Sequence, residues 1–150
     1  MIHTLRTRHG LYLLAGLLSV SCAANSSDTE VTIDCETAYT TRDMNQCAAQ
    51  TLAESEQVMQ RYLDASLERH QQDPELVQAI ELAQQRWQQY RSAHCDAVYT
   101  QWREGTIRGV MTLSCKTELT EQRTHALWSN FLTYMDSTAP VLPEPKVSKP

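Results

Sequence analysis

Apolar residues recur at spacings of three and four from about residue 40 to residue 135, which predicts long amphipathic helices. The first series follows Thr40-Thr41-Arg42-Asp43, where a hydroxyl three residues before a carboxylate is typical of a capped helix start. Its apolar positions are Met44, Ala48, Leu52, Met59, Leu63 and Leu67. We therefore predict that the first helix begins at Thr40-Thr41.

Two breaks divide the remaining pattern into a second and a third helix. At the first break Asp73 suits the N-cap and Pro74 the first helical turn, where its missing N–H costs nothing. The second helix places one apolar stripe on Leu76, Ile80, Ala83, Trp87, Tyr90, His94 and Val98. The second break, Glu104 to Gly109, contains two glycines. The third helix is predicted from about Thr106 or Val110 to Met135, with Met111, Leu119, Leu127, Phe131 and Tyr134 buried.

The predicted fold is all-α: an elongated antiparallel three-helix bundle that is stapled by two disulfides. Only four glycines and one phenylalanine occur in 150 residues, and this composition argues against an all-β fold. We expect one helical domain over residues 34–136. The tail, residues 137–150, contains four prolines and is predicted to be extended or disordered.

The first 22 residues are typical of a bacterial export signal. Arg6 and Arg8 precede an apolar run of about ten residues, and small residues surround Cys22. A cysteine at this position is the lipid acceptor in bacterial lipoproteins. We predict a signal peptide over residues 1–21 and lipid on Cys22, followed by a tether to residue 33. The alternative is ordinary cleavage after Ala23 or Ala24, which removes Cys22.

The four other cysteines are expected to form two disulfides, because an exported chain meets an oxidising compartment. Cys95 and Cys115 each lie ten residues from Gly105, so an antiparallel helix pair brings them level. Cys35 is then left for Cys47. The alternative pairing of Cys47 with Cys95 stays open, since sequence alone does not fix connectivity.

The charge of the chain excludes some partners and favours others. The formal net charge is −5, and removal of residues 1–21 with Arg6 and Arg8 makes it −7. This disfavours nucleic acid and anionic lipid, and favours a cationic partner. No catalytic motif occurs, and His94 next to Cys95 lacks the spacing of a metal site. We predict no enzymatic activity, no cofactor and no metal.

A set of cysteines and short motifs resembles the LprI-like family of lysozyme-inhibitor-related envelope proteins, over about Asp34 to Met135. The matching elements are Asp34-Cys35, Thr41-x-Asp43-Met44-Asn45-x-Cys47, Ala83-Gln84-x-x-Trp87-x-x-Tyr90-Arg91-x-x-x-Cys95, Gly105-x-Ile107, Met111, Cys115 and Leu119-Thr120-x-x-Arg123. The resemblance implies a helical, disulfide-bonded domain in the periplasm or at the cell surface. Such proteins are often lipoproteins. Ala23, rather than aspartate, follows Cys22, and by resemblance to enterobacterial lipoproteins we expect this protein at the outer membrane.

The motif residues have a structural and a binding interpretation. Trp87 and Tyr90 lie on the predicted apolar stripe, so we expect them in the core, with Arg91 paired to a carboxylate such as Asp43. Asp43 and Asn45 are expected to serve the helix start. An exposed aromatic pair with an arginine would instead be a binding anchor.

Two functional hypotheses follow. The first is a non-enzymatic envelope protein that inhibits lysozyme by blocking its cleft, and the second is a structural or stress-related envelope lipoprotein that binds another envelope component. For the first, the candidate contacts are an acidic face of the first helix and the loop from Arg103 to Gly109. The residues proposed are Glu54, Glu56, Asp64, Arg103, Glu104 and Gly105.

Overall fold

The computed structural model describes residues 33–146, which form three α-helices and no strand within that range. A short 3-10 helix, Cys35–Thr37, leads into α1 (Thr41–Arg69), α2 (Pro74–Gln101) and α3 (Arg108–Leu127), and a π-helical turn, Trp128–Leu132, follows α3. The predicted all-α fold is confirmed. The signal peptide, Cys22, the tether as far as residue 32 and residues 147–150 lie outside the described residues.

The first two helices begin where their capping residues predict. The Thr40 hydroxyl accepts the backbone N–H of Asp43 at 3.1 Å. A carboxylate oxygen of Asp73 accepts the backbone N–H of Leu76 at 3.1 Å, with Pro74 at the first helical position. Each cap satisfies a donor that has no partner inside the helix, and such a cap contributes about 1 kcal/mol.

Successive helices are antiparallel, so α1 and α3 run in the same direction and α3 packs against both other helices. Near the start of α3, Gly109 lies against Asn45 of α1, because a Cβ at position 109 would meet the Asn45 side chain. The hydrophobic core lies towards the opposite end. Its buried members are Met59, Tyr62, Leu63, Ile80, Leu127 and Leu132.

The buried face of α2 differs from the predicted apolar stripe. Ile80 is buried as expected, but Tyr90 and His94 are exposed, and Gln84 and Cys95 are buried in their place. Trp87 keeps its place on the buried side, so the true face is displaced by less than the roughly 100° that separates successive residues on a helix. Polar residues occupy core-facing positions, so hydrophobicity alone drew the edge of the stripe in the wrong place.

The third helix ends earlier than predicted. The guanidinium of Arg69 on α1 donates to the carbonyls of Phe131 and Thr133, at 2.8 and 2.9 Å, and takes up carbonyls that lack helical partners. Tyr134 was expected in the core, but it is exposed and lies 4.0 Å from the Arg69 guanidinium. The continuation of α3 to Met135 was therefore wrong.

Residues 137–146, which we name the C-terminal strap, contain neither helix nor strand and follow the extended alternative of the prediction for this tail. The Val141 N–H donates to the carbonyl of Leu132 at 2.8 Å, and the strap then runs back along α1 and α3. Leu142 packs against the hydrophobic core. The prolines correctly excluded a helix, but their carbonyls remain free to accept hydrogen bonds from side chains.

Candidate functional site

Arg91 is the centre of a polar layer between the three helices. Its Nη1 donates to Glu56 of α1 at 2.7 Å and to the hydroxyl of Thr120 of α3 at 2.8 Å. The guanidinium also lies 4.9 Å from the ring of Trp87, one turn earlier on α2. The expected partner Asp43 was wrong: the carboxylate is Glu56, which lies 13 residues further along α1. This arrangement ties the helices together.

Arg123 forms a second polar contact nearer the hydrophobic core. Its Nε donates to the side-chain oxygen of Gln84 at 2.9 Å, and the Gln84 amide lies 3.5 Å from the sulfur of Met59. Burial lowers the pKa of the Arg123 guanidinium, although an arginine stays charged at neutral pH. Among the described residues, its buried Nη2 has no hydrogen-bond partner. We therefore assign Arg123 to the interior of the bundle.

The predicted motif residues divide between core and surface. Trp87 packs against the hydrophobic core, as expected, but Tyr90 is 53% exposed and stacks on His94 with ring centroids 5.5 Å apart. Asn45 donates to the carbonyl of Thr41 at 2.7 Å, in keeping with a role at the helix start. The expectation that Tyr90 belongs to the core was wrong, because the buried face of α2 is rotated away from it.

The acidic residues of α1 are not equivalent. Glu54 and Asp64 are exposed, whereas Glu56 is partly buried and paired with Arg91. Asp64 accepts a hydrogen bond from Gln60 at 2.8 Å. Of these three carboxylates on α1, Glu54 and Asp64 are therefore the two that are exposed to solvent.

Both exposed carboxylates lie in grooves that the C-terminal strap helps to form. Glu54 lines a groove of about 180 Å³ together with Glu121 and Lys146, the last described residue of the strap. Asp64 lines a wider groove of about 490 Å³, in which the strap contributes Leu142. The sequence did not indicate this contribution, since residues 137–150 were expected to be an extended or disordered tail outside the helical domain.

The loop between α2 and α3 is short and carries both signs of charge. Arg103 and Glu104 lie 3.4 Å apart, and both side chains are largely exposed. The Gly105 N–H donates to the carbonyl of Trp102 at 2.8 Å and closes the turn. Trp102 is 40% exposed, an aromatic residue that the search for charged contacts missed. Its position beside the predicted break at Gly105 was the sequence feature that could have identified it.

Both predicted disulfides are present, and the alternative pairing of Cys47 with Cys95 is excluded. Cys35 is bonded to Cys47 with a Cα–Cα distance of 5.6 Å, and Cys95 to Cys115 with 5.8 Å. The second bond joins α2 to α3 beside their connecting loop. Disulfides persist in oxidising compartments, so the pair suggests an exported protein.

The described part of the chain offers neither a metal cluster nor a membrane-spanning helix. No group of three or more histidine, cysteine, aspartate or glutamate side chains within residues 33–146 is placed to hold a metal ion. Over the same residues, no helix combines the length and the apolar character needed to cross a bilayer.

The fold and cross-links define a disulfide-bonded helical domain that exposes Glu54 and Asp64 on α1. A family model described as "Lysozyme inhibitor LprI" matches residues 32–127, nearly two thirds of the chain. The chain belongs to this family. Neither a curated protein nor a solved structure matches it. The family match ends at the last residue of α3 and does not include the strap.

Proposed function

We propose that this protein binds and inhibits a lysozyme and has no enzymatic activity of its own. The observation that carries the proposal is the match to the lysozyme-inhibitor family over residues 32–127. The acidic charge supports it, because a formal charge of −5, or −7 without residues 1–21, attracts a cationic partner at long range. This long-range attraction does not itself hold a complex together, so direct contacts with side chains of the domain must hold the bound lysozyme.

The contact surface that we propose is the exposed face of α1 that carries Glu54 and Asp64. Glu56 contributes less, because its carboxylate is already paired with Arg91. The loop from Arg103 to Gly109 is a weaker candidate for contact with the cationic side chains of lysozyme, since it carries two arginines, Arg103 and Arg108, and one carboxylate, Glu104. Trp102, next to this loop, would instead provide an apolar contact.

The test compares two double variants that remove the same amount of charge. Glu54→Gln with Asp64→Asn changes the proposed face. Glu81→Gln with Glu118→Gln is the matched control on α2 and α3, where Glu118 accepts a hydrogen bond from Gln122 much as Asp64 does from Gln60. Inhibition of cell-wall lysis is measured for both at physiological ionic strength.

We expect the first variant to raise the inhibition constant about tenfold, since two screened ion pairs at about 0.7 kcal/mol each amount to about 1.4 kcal/mol. The control should stay close to the unchanged protein. Equal effects of the two variants would mean that only the bulk charge matters, and would contradict the proposed face. If Trp102→Ala alone weakens inhibition, the loop replaces the α1 face as the contact.

We further propose that the protein is exported and that lipid on Cys22 holds it at the outer membrane. The signal pattern of residues 1–21 and the fifth cysteine support this. A lysozyme reaching the cell wall from outside would meet an inhibitor in that position.

A second candidate is a structural envelope lipoprotein that binds another envelope component. Exposed aromatic residues near the disulfides favour it: Tyr39 is 85% exposed, Tyr99 42% and Trp102 40%. The test replaces these three residues. If the variant loses its association with isolated envelopes while its inhibition of lysozyme is unchanged, the result supports this candidate.

A further inference from the structure

The C-terminal strap is held mainly by side chains that donate hydrogen bonds to its carbonyls. Trp128 Nε1 donates to the carbonyl of Leu142 at 2.9 Å, and the Tyr62 hydroxyl donates to the carbonyl of Pro143 at 2.6 Å. Aromatic-lined grooves recognise proline-rich segments in the same manner, since such segments keep their carbonyls unpaired. The groove between α1 and α3 therefore has the chemistry of a peptide-binding site.

The groove also distinguishes the side chains of the strap. Leu142 inserts against the hydrophobic core, while Glu144 lies 3.2 Å from Nε2 of His125 on α3. Proline at positions 143 and 145 favours an extended backbone at the residue before each. The groove thus contacts the sequence Leu-Pro-Glu-Pro through specific side chains, as a binding site contacts a peptide ligand.

Beyond Tyr134, the connection to the strap is exposed and weakly fixed. Met135 is fully exposed, and Asp136 bonds only within the connection, to the N–H of Thr138 at 2.8 Å. The base of this connection is closed by the single backbone bond from Val141 to Leu132. A change in the backbone of residues 135–140 would carry the strap away and leave the contacts of Arg69 with Thr133 and Tyr134 in place.

We propose that the α1–α3 groove accepts the strap of a second copy of this chain as well as its own. A second copy is the occupant that the structure favours, because its strap offers the same leucine, carbonyls and carboxylate. Exchange of identical elements is a low-cost route to a dimer, since every contact made in one chain is remade between two. The proposal does not rest on lysozyme binding and is tested without it.

The test is a variant whose strap cannot return to its own groove. Deletion of residues 134–140 leaves Thr133 alone between Leu132 and Val141, and one residue does not reverse the chain as a turn does. We expect this variant to be a dimer by light scattering, while the unchanged chain is mainly a monomer. The same deletion with Leu142→Ser is the control, and it should be monomeric because its strap no longer fits the groove.

A folded deletion variant that stays monomeric at about 0.1 mM would overturn the proposal, because its own strap leaves the groove empty and the second of the two strap contacts in a dimer forms at an effective concentration of about millimolar order. If the deletion variant does not fold, the unchanged chain decides the matter. A peptide covering residues 139–150 is added to the ¹⁵N-labelled protein, and the indole signal of Trp128 is followed. The peptide is added to about 10 mM, above the effective concentration of the chain's own strap. A shift that a Leu142→Ser peptide does not produce supports exchange, and no shift at that concentration overturns it.

Discussion

Replacement of Arg91 by methionine tests whether the polar layer holds the three helices together. Arg91→Met keeps the apolar stem but removes the charged hydrogen bonds to Glu56 and Thr120 and the contact with the Trp87 ring. The Arg91 side chain is 17% exposed and that of Glu56 is 42% exposed, so solvent screens the ion pair in part.

The magnitude follows from these contacts. Hydrogen bonds to a charged group contribute about 1.5 to 3 kcal/mol, and a cation over an aromatic ring contributes about 0.5 to 1 kcal/mol. The methionine stem recovers some packing. We therefore expect Arg91→Met to lower the free energy of unfolding by about 2 to 3 kcal/mol. Glu56→Gln should cost less, about 0.5 to 1 kcal/mol, because the glutamine amide oxygen would still accept a hydrogen bond in a partly exposed position.

The assay is urea unfolding of the oxidised domain, followed by tryptophan fluorescence and far-UV circular dichroism. The matched control is Arg86→Met on the same helix, because Arg86 is exposed and contacts Gln89 one turn away. A surface change of this kind stays within about 0.5 kcal/mol. If Arg91→Met costs no more than Arg86→Met, the polar layer does not hold the bundle together as argued above.

Three further predictions concern other parts of the chain. Replacing Cys95 and Cys115 together by alanine should lower the unfolding free energy by about 3 kcal/mol, measured by the same urea titration, because the cross-link over 20 residues limits the unfolded ensemble. Gly109→Ala should destabilise by about 1 kcal/mol in thermal unfolding, because the Asn45 side chain must turn aside and give up its hydrogen bond to the Thr41 carbonyl, and the same change should cost nothing when Asn45 is already alanine. Mass spectrometry of the mature protein should find lipid on an N-terminal Cys22, and a soluble species that begins after Cys22 would contradict the anchor.

The helices and disulfides were predictable because local chemistry determines them. Thr40 and Asp73 cap the helices that they precede, and antiparallel neighbours on either side of Gly105 bring Cys95 and Cys115 level. These features depend on residues close together in sequence. They need no knowledge of the distant packing.

The polar interior was not predictable, because it depends on pairs far apart in sequence. Arg91 was assigned to Asp43, yet it bonds Glu56, and Gln84 is buried because it meets Arg123. A hydrophobic pattern places such residues at the surface. The buried face of α2 was consequently assigned to Tyr90, which is exposed.

The packing of the strap was missed for a related reason. Its prolines predict the lack of a helix, but the donors that fix it, Tyr62 and Trp128, belong to α1 and to the turn after α3. The candidate surface was therefore predicted only in part. Glu54 and Asp64 were identified from charge, whereas the strap residues beside them were not.

The central claim is best tested by titrating a lysozyme with the purified, oxidised domain at physiological ionic strength, and following the lysis of cell walls. At this ionic strength the screening length is about 8 Å, so attraction by net charge alone is largely lost. We expect lysis to stop near one domain per lysozyme molecule. Lysis that proceeds unchanged at a clear molar excess of the domain would contradict it.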